Sequence, residues 1–502
     1  MRRTKSWVVG LSLGCSIAAS SLVAAQPRQE RQSEAVRRTA TDRAGQMREL
    51  HRLLKEAEPA SGLGRALAVA LSPSEKAAAE PRAEGRYRVG VSKTVGVVLD
   101  FSRNALPFGV RESSADGGLT WSGVVRSPGA SALRLYFSPF DLPEGAELYV
   151  YGPEQQAFGP YTGRGPVDDR RLWTNTVRGE EVHLQLRLPA GSQRTRLVVS
   201  ALGYMGKALP GALEAATSSL CPGNASCVVN AGCASIPAAI RPARDAIADI
   251  LFASGRFYYL CTGGLLADSD LASTIPYFLT AHHCISTSGE ASSLETYFDY
   301  ETTCSSPDCG APFDESPRDP DTLGATLKSS NNTGDYTLLQ LSSVPDTGDG
   351  VETYLGWSTG AVANSDGTHL YRISHPAGSP QAYSEHDVDT SKVTCSSWPR
   401  GNWIYSRDIL GATEGGSSGS PVLNSSGQVV GQLSGACGFN VNDPCDSSAN
   451  ATVDGAFANY FDEVSAFLAG GGSCRPKGQA CSMNSECCSN SCKGKPGSKT
   501  CR

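Results

Sequence analysis

The sequence predicts a mostly β protein of several modules, and three observations support this. Short alternating apolar segments, separated by glycine and proline turns, recur from Tyr87 to Val199 and again beyond Cys221. At 502 residues, the chain is longer than one ordinary domain. Its 17 cysteines are clustered: apart from Cys15, ten lie between Cys221 and Cys445 and six between Cys474 and Cys501. Such clusters indicate separately cross-linked modules in an oxidising compartment.

Residues 1–25 have the features of an export signal. Met1–Lys5 is basic, the run from Trp7 to Val23 is apolar, and small residues end it at Ala25. A membrane anchor is the alternative, but several serines interrupt the run, and no later stretch is long and apolar enough to span a bilayer. We therefore predict a secreted, extracellular protein without stable membrane insertion.

The rest of the chain divides by composition. Residues 26–86 are rich in Ala, Arg and Glu with apolar residues at helical spacing, which predicts a helical and partly disordered segment. Residues 87–205 predict a β-sandwich, 206–220 a linker, and 221–469 a strand-rich module that closes with a helix. Residues 470–502 form a tail too small to fold by apolar burial alone, so it requires disulfides.

Charge is divided unevenly between these parts. Residues 221–473 hold 28 Asp and Glu against 9 Lys and Arg, a balance of −19, so the rest of the chain carries +13 to give the total of −6. This division suits docking between a basic leader and an acidic module, and it suits basic substrates. Solubility of an exported protein explains it equally well. Nucleic acid is disfavoured as a partner of the acidic part.

Three residues of the acidic module supply the parts of a nucleophilic hydrolase. Ser418 lies in the glycine-rich turn Glu414–Pro421, His283 follows an apolar strand, and Asp335 begins another. A serine hydroxyl needs a base to take its proton, and the base needs an acid to hold its tautomer. The order His, Asp, Ser therefore predicts a base, an orienting acid and a nucleophile.

The glycines around the nucleophile have their own role. They allow a sharp turn, so that the backbone amides of Gly416 and Ser418 can point at a developing oxyanion. On composition alone, His282 competes with His283 for the role of base. This set of residues implies no metal and no organic cofactor.

The module resembles the chymotrypsin-fold serine peptidases, and most of all their bacterial lysyl endopeptidase branch. The passages that carry the likeness are Ser226–Cys233, Cys261–Leu266, Tyr277–Cys284, Asp335–Leu339, Thr413–Pro421 and Val430–Ser434. The likeness covers about half the chain and places the catalytic histidine directly before the cysteine, which selects His283. It implies a double six-stranded β-barrel with the triad between the barrels. Residues 87–200 resemble, more loosely, the β-rich leader that precedes such peptidases.

The resemblance also implies a specificity for Lys or Arg. In that branch an acid a few residues after the last cysteine of the module reads the basic side chain, and counting from Cys445 selects Asp454, with Asp446 second. Glu414 and Thr413 precede the nucleophile, and Ser434 with Gly435 line the cleft. Ser434 stands where the lysyl prototype has a histidine, so acidic or apolar specificity remains an alternative.

The control of activity should differ from that of the animal digestive relatives. These have an aspartate before the nucleophile, which a freed amino terminus neutralises, whereas this chain has Ser417. The hypothesis is that the leader assists folding, blocks the cleft and is then removed, with Lys207 as a candidate cut site.

Cysteine pairing follows from the same resemblance. Cys261 with Cys284 would fix the histidine loop, and Cys233 with Cys304 and Cys227 with Cys445 or Cys437 are further implied pairs; Cys221, Cys309 and Cys395 stay unassigned. The tail, with its adjacent cysteines, resembles inhibitor cystine knots, which implies the pairs Cys474–Cys488, Cys481–Cys492 and Cys487–Cys501. Six cysteines allow 15 pairings in principle. A zinc site is disfavoured because the tail has no histidine.

The function predicted is therefore a secreted serine endopeptidase made as a zymogen, acting on polypeptides, with its own propeptide as partner and a monomeric state. One alternative is an idle binding protein that works through the sandwich and the knot. Another is an esterase, but the turn at Ser418 lacks the Gly-x-Ser-x-Gly pattern of such enzymes.

Overall fold

A computed structural model of the protein describes residues 43–84, 86–114, 116–192, 194–206, 220–269, 275–305, 309, 319–345, 353–469, 480–481, 492–495 and 499–501. In these ranges, no helix has the length and apolar character needed to cross a membrane. The predicted export signal and the candidate cut site Lys207 lie outside them.

The N-terminal module is a two-layer β-sandwich. Its helices are α1 (Arg43–Glu56) and α2 (Pro73–Ala78), and its strands are β1 (Leu67–Ala68), β2 (Arg82–Glu84), β3 (Arg86–Asp100), β4 (Val110–Ser113), β5 (Leu119–Arg126), β6 (Ala132–Phe137), β7 (Glu147–Tyr151), β8 (Ala157–Tyr161), β9 (Leu172–Trp173), β10 (Val177–Arg178), β11 (Glu181–Leu188) and β12 (Arg196–Met205). One layer has the order β1-β5-β11-β7-β8, with β4 on β5, and the other has β10-β6-β12-β3, with β9 on β6.

The core of the sandwich follows from the alternating pattern of its strands. Leu135 and Leu202 of one layer and Trp121 and Leu184 of the other belong to one fully buried apolar cluster. The sandwich also begins earlier than the sequence predicted, because β1 pairs with β5 through Leu67 and Val125. Residues 67–86 therefore contribute strands and not only a helical leader. The apolar spacing does correspond to α1.

The C-terminal module contains the other helices and strands, apart from those of the tail. Its helices are α3 (Ala243–Ala246), α4 (Ser288–Ser292) and α5 (Phe457–Leu468), and its strands are β13 (Val229–Asn230), β14 (Ile247–Ser254), β15 (Phe257–Leu266), β16 (Tyr277–Ala281), β17 (Glu295–Tyr297), β18 (Thr322–Leu323), β19 (Ala325–Asn331), β20 (Tyr336–Leu341), β21 (His369–Ser374), β22 (Ala382–Val388), β23 (Trp403–Leu410), β24 (Pro421–Leu423), β25 (Val429–Gly438) and β26 (Asn450–Ala456). The tail contributes the paired strands β27 (Cys492–Lys493) and β28 (Thr500–Cys501).

The mostly β fold class is confirmed, with one difference in the barrels. Strands β21-β22-β23-β26-β25-β24 close on themselves as a six-stranded barrel, which β13 joins at β22. Strands β18-β17-β14-β15-β16-β20-β19 form an open half-barrel, because its end strands β18 and β19 do not pair with each other among the described residues. The edge of β15 that β16 uses over Gly264–Leu266 is taken by β3 over Phe257–Leu260. One sheet thus runs from the sandwich into the half-barrel.

Disulfides fix the C-terminal module. The structure contains Cys261–Cys284, Cys233–Cys304 and Cys227–Cys445, and it adds Cys221–Cys309 and Cys395–Cys437, which the sequence left unassigned. Cys474, Cys487 and Cys488 and the side chains of Cys492 and Cys501 lie outside the described residues, so the cystine-knot pairings remain predictions.

Candidate active site

Strand register brings His283 and Asp335 together. Strands β16 and β20 pair with Ala281 opposite Tyr336, so the residues just beyond these two ends are neighbours. His283 Nδ1 lies 2.7 Å from Asp335 Oδ2, and the His283 backbone N–H donates to Asp335 Oδ1 at 2.8 Å. Both carboxylate oxygens are therefore used by one residue. Because the carboxylate accepts from Nδ1, Nε2 of the neutral ring is left as the basic nitrogen.

The neighbouring histidine faces a different partner. His282 Nδ1 lies 2.7 Å from Ser330 Oγ, and its backbone N–H donates to the Asp335 carbonyl at 3.0 Å. Its ring is thus held by β19 and not by the Asp335 carboxylate. The geometry favours His283 as the base, as the sequence resemblance does.

The Ser418 turn is held against the same loop. The Ser418 carbonyl accepts the Thr262 N–H at 2.8 Å, and Cys284 Sγ lies 3.7 Å from that carbonyl. The Cys261–Cys284 disulfide ties β15 to the segment that carries His283. On its other side, Gly419 donates its N–H to the Leu433 carbonyl of β25 at 2.8 Å. The serine therefore lies between β15 and β25, beside the histidine loop.

The turn before the serine requires glycine. Gly416 has φ 101°, and a Cβ there would lie 2.7 Å from the His375 carbonyl oxygen. The Gly415 carbonyl accepts the Ala377 N–H at 2.6 Å. Because the peptide bond is planar and trans, the Gly416 N–H points in the opposite direction. It is thus free of that loop and available to an incoming oxygen.

Ser417 replaces the ion pair of the digestive relatives with hydrogen bonds. Its side chain is fully buried, and its hydroxyl accepts from Ser374 Oγ at 3.0 Å. A freed amino terminus would find no carboxylate at this position.

The acids expected to read a basic substrate have internal partners instead. Asp454 is fully buried and pairs with Arg372 at 2.6 Å. Glu414 accepts from Asn224 Nδ2 at 2.8 Å and from the Ala225 N–H at 2.9 Å. Asp454 is thus enclosed in the barrel with its arginine, and Glu414 is held by the segment at Asn224, so neither placement supports the substrate-reading role that the resemblance implied.

Of the other residues expected to line the substrate cleft, Asp446 lies in a separate loop, whereas Thr413, Ser434 and Gly435 lie near the Ser418 turn. Asp446 accepts from Asn440 Nδ2 at 3.0 Å and from Ser448 Oγ at 2.7 Å within its own loop. Thr413 and Gly435 are half-buried, and Ser434 is buried on β25 just beyond Leu433. Ser434 and Gly435 are therefore the first two residues of β25 after its contact with the Ser418 turn.

A polar cluster that the sequence did not reveal lies next to this part of β25. Thr452 on β26 pairs with Ala436 of β25, and its hydroxyl donates to Asp408 Oδ1 at 2.7 Å. His386 Nδ1 lies 2.8 Å from the same oxygen. Burial would raise the pKa of the Asp408 carboxyl, but the bonds from His386 and Thr452 outweigh it and hold that pKa below its ordinary value. The Asp408 side chain is still 13% exposed. No motif marks Asp408, since its neighbours come from other strands.

The Asp454 placement gives a stability prediction. Asp454→Asn leaves Arg372 buried without its anion, and such a broken pair costs about 3–5 kcal/mol. We expect the free energy of unfolding in denaturant to fall by about this amount, with no change in the preference for the residue before the cut. Asp462→Asn, on the exposed face of α5, is the matched control. If Asp454→Asn changed the preference for the residue before the cut and left stability unchanged, Asp454 would have to contact the substrate.

Two family models and one curated relative match large parts of the chain. The model of the lysyl endopeptidase N-terminal domain matches residues 65–203, and that of the lysyl endopeptidase C-terminal domain matches residues 221–449. A lysyl endopeptidase of Pseudomonas aeruginosa is 29% identical over 316 residues, which is 61% of this chain and 64% of that relative.

Solved structures of two proteases are also similar to the chain. The Rv3671c protease from M. tuberculosis is 14% identical, with a TM-score of 0.31, and the match covers 45% of this chain and 83% of that one. A serine endoprotease from Yersinia pestis is 15% identical, with a TM-score of 0.30, and the match covers 45% and 66%. The two family models, by contrast, take in the sandwich and nearly all of the module that carries Ser418, His283 and Asp335. The chain is thus similar to the N-terminal and the C-terminal domain of lysyl endopeptidases.

Proposed function

We propose that the protein is a serine endopeptidase that hydrolyses peptide bonds through Ser418, His283 and Asp335. The observation that carries the proposal is the two-point contact of Asp335 with His283, in a loop tied by a disulfide beside the Ser418 turn. The similarity to lysyl endopeptidases supports the same activity.

The geometry supports a sequence of proton movements. His283 Nε2 takes the Ser418 proton as Oγ attacks the substrate carbonyl carbon, and Asp335 stabilises the imidazolium that forms. The oxyanion accepts hydrogen bonds from the backbone N–H groups of Gly416 and Ser418. The imidazolium then gives its proton to the leaving amine as the C–N bond breaks. His283 next deprotonates a water whose oxygen attacks the acyl carbon, and it returns that proton to Ser418 Oγ as the acyl C–Oγ bond breaks.

We propose further that the enzyme cuts after Lys or Arg, and that Asp408 supplies the selecting carboxylate. The β25 segment Leu433–Ala436 starts at the nucleophile, and Thr452 lies across from its far end. Asp408 lies behind Thr452, accepts from Thr452 and His386 at the same oxygen and keeps a lowered pKa. Its side chain is 13% exposed, whereas Asp454 is fully buried. The balance of −19 over residues 221–473 favours basic polypeptides as well.

A peptide panel tests this specificity. Peptides that differ only at the residue before the cut, with Lys, Arg, Glu or Leu, should give the highest kcat/KM for Lys or Arg. Asp408→Asn should lower the Lys-to-Leu ratio about 10- to 100-fold, the worth of one charge-assisted hydrogen bond. Asp462→Asn should leave the ratio unchanged. A wild-type preference for Glu or Leu would end the basic assignment, and an unchanged ratio in Asp408→Asn would exclude Asp408.

We also propose that the chain is exported as a zymogen whose N-terminal module is removed by a cut in the linker 206–220. The continuous sheet through β3 and β15 supports this, because the leader then lies beside the nucleophile. The position of the cut can be read from the amino terminus of the purified active protein.

A further inference from the structure

A hairpin of the N-terminal module reaches the candidate active site. Strands β2 and β3 pair antiparallel, with Ala83 opposite Tyr87 and Glu84 opposite Arg86, and so form a hairpin. The beginning of β3 also pairs antiparallel with β15, with Tyr87 opposite Leu260. Leu260 directly precedes Cys261 and Thr262, and the Thr262 N–H holds the Ser418 carbonyl. The hairpin therefore ends beside the nucleophile turn.

Arg86 fixes the tip of the hairpin to the histidine loop. Its guanidinium donates to the carbonyl of Cys284, the residue after His283, at 3.3 Å. It also lies 3.9 Å from the Tyr259 ring centroid and 3.8 Å from Glu290 Oε1. A cation over an aromatic face and near an anion is held by several favourable terms at once.

The other arm of the hairpin covers the oxyanion turn. A Cβ on Gly415 would lie 3.2 Å from Ala83 Cβ and 3.9 Å from Tyr87 Cδ2. Gly415 directly precedes Gly416, whose N–H is the proposed oxyanion donor. The tip thus bridges the histidine loop and the serine turn across the cleft.

The two strand edges at Ser418 have different roles. β25 meets the turn through Leu433 and leads to Gly435 and the proposed specificity acid, so it serves the half of a substrate before the scissile bond. β15 meets the turn through Thr262 on the opposite side. The half of a substrate after the scissile bond must then follow β15, where β3 already lies as an added strand.

We propose that the Phe257–Leu260 edge of β15 is a strand-addition surface for extended polypeptides, and that the β2–β3 hairpin occupies it in the uncut chain. The hairpin blocks the leaving-group half of the cleft only. The acyl half stays accessible, since Gly435 is half-buried and Ala436 is exposed. Removal of the N-terminal module would free the edge for the residues that follow the cut. This inference rests on the proposed function.

Peptide binding to the full-length Ser418→Ala chain tests the surface without cleavage. One fluorescent peptide ends at its lysine and fills only the acyl half, and a second continues several residues past the lysine. Arg86→Ala removes the contacts to Cys284 and Tyr259, and Arg86→Glu adds repulsion from Glu290. We expect either change to tighten binding of the longer peptide about tenfold or more by anisotropy, and to leave the shorter peptide unchanged.

The controls separate this inference from the proposed function. Arg103→Ala, at a side chain 76% exposed in the sandwich, should change neither affinity. Amide hydrogen exchange should show loss of protection at Tyr258–Leu260 in the Arg86 variants while β5 and β11 stay protected, which verifies folding. Equal tightening of both peptides, or none in a folded variant with an exposed edge, would overturn the strand-addition surface. Lack of peptide hydrolysis by the wild-type protein would instead overturn the proposed function.

Discussion

Ser418→Ala is expected to lower kcat by about five to six orders of magnitude, because the nucleophile is the one atom that forms the acyl intermediate. Substrate KM should change little, since the hydroxyl contributes little to ground-state binding. If the linker cut is autocatalytic, the same variant should accumulate as the uncut precursor. Steady-state kinetics on a peptide with lysine before the cut and the intact mass of the purified product measure both effects.

A matched serine gives the control for that experiment. Ser391→Ala changes an exposed turn in which the hydroxyl bonds only to Asp389 among the described residues, so activity and processing should stay at the wild-type level. A loss of kcat below a hundredfold in Ser418→Ala would contradict the role of nucleophile.

Asp335→Asn should be the second largest effect, with kcat reduced about 10⁴-fold. The carboxylate accepts both the His283 backbone N–H and Nδ1–H. An amide can accept only through its oxygen, and its NH₂ facing Nδ1 would favour the tautomer that carries its proton on Nε2. That tautomer cannot take the Ser418 proton. The fold should persist, because the isosteric amide retains the bond from the backbone N–H.

Kinetics and structure together separate this effect from simple loss of folding. We expect kcat to fall with KM nearly constant and with unfolding free energy within about 1 kcal/mol of wild type. Asp462→Asn serves again as the exposed carboxylate control. A kcat within tenfold of wild type in folded Asp335→Asn would show that His283 does not depend on this acid.

Local sequence supplied the candidates for the proposed triad, and the family resemblance was needed to choose His283 over His282. The glycines of the Ser418 turn, the strand before His283 and the strand after Asp335 are each legible over a few neighbouring residues. The strand pairing that joins them is the ordinary antiparallel pairing of two apolar strands. The disulfide Cys261–Cys284 follows because β15 and the histidine loop both border the serine turn.

The acid proposed to select the substrate could not be predicted in the same way. The partners of Asp454 and Asp408 depend on which strands lie beside them: Arg372 is 82 positions from Asp454 and His386 is 22 positions from Asp408. A count from Cys445 cannot show that a buried arginine neutralises one acid while a threonine and a histidine hold the other.

The reach of the leader into the cleft was equally hidden. The basic and acidic halves suggested docking, but the register of β3 on β15 joins residues about 170 positions apart, as Tyr87 opposite Leu260 shows. The composition of residues 26–86, rich in Ala, Arg and Glu, predicts a helical segment, and β1 and β2, of two and three residues, are too short to show a strand pattern. Their partners on β5 and β3 decide their conformation.

Covalent labelling tests the central claim most directly, namely that His283 activates Ser418. The processed protein is treated with a serine-phosphonylating reagent, and the modified residue is located by peptide mass spectrometry. One adduct at Ser418 is expected, formed at a rate that falls at least about a hundredfold in His283→Gln and hardly at all in His282→Gln. A protein that stays unlabelled at Ser418, or labels equally fast without His283, would contradict the proposed triad and support a binding protein instead.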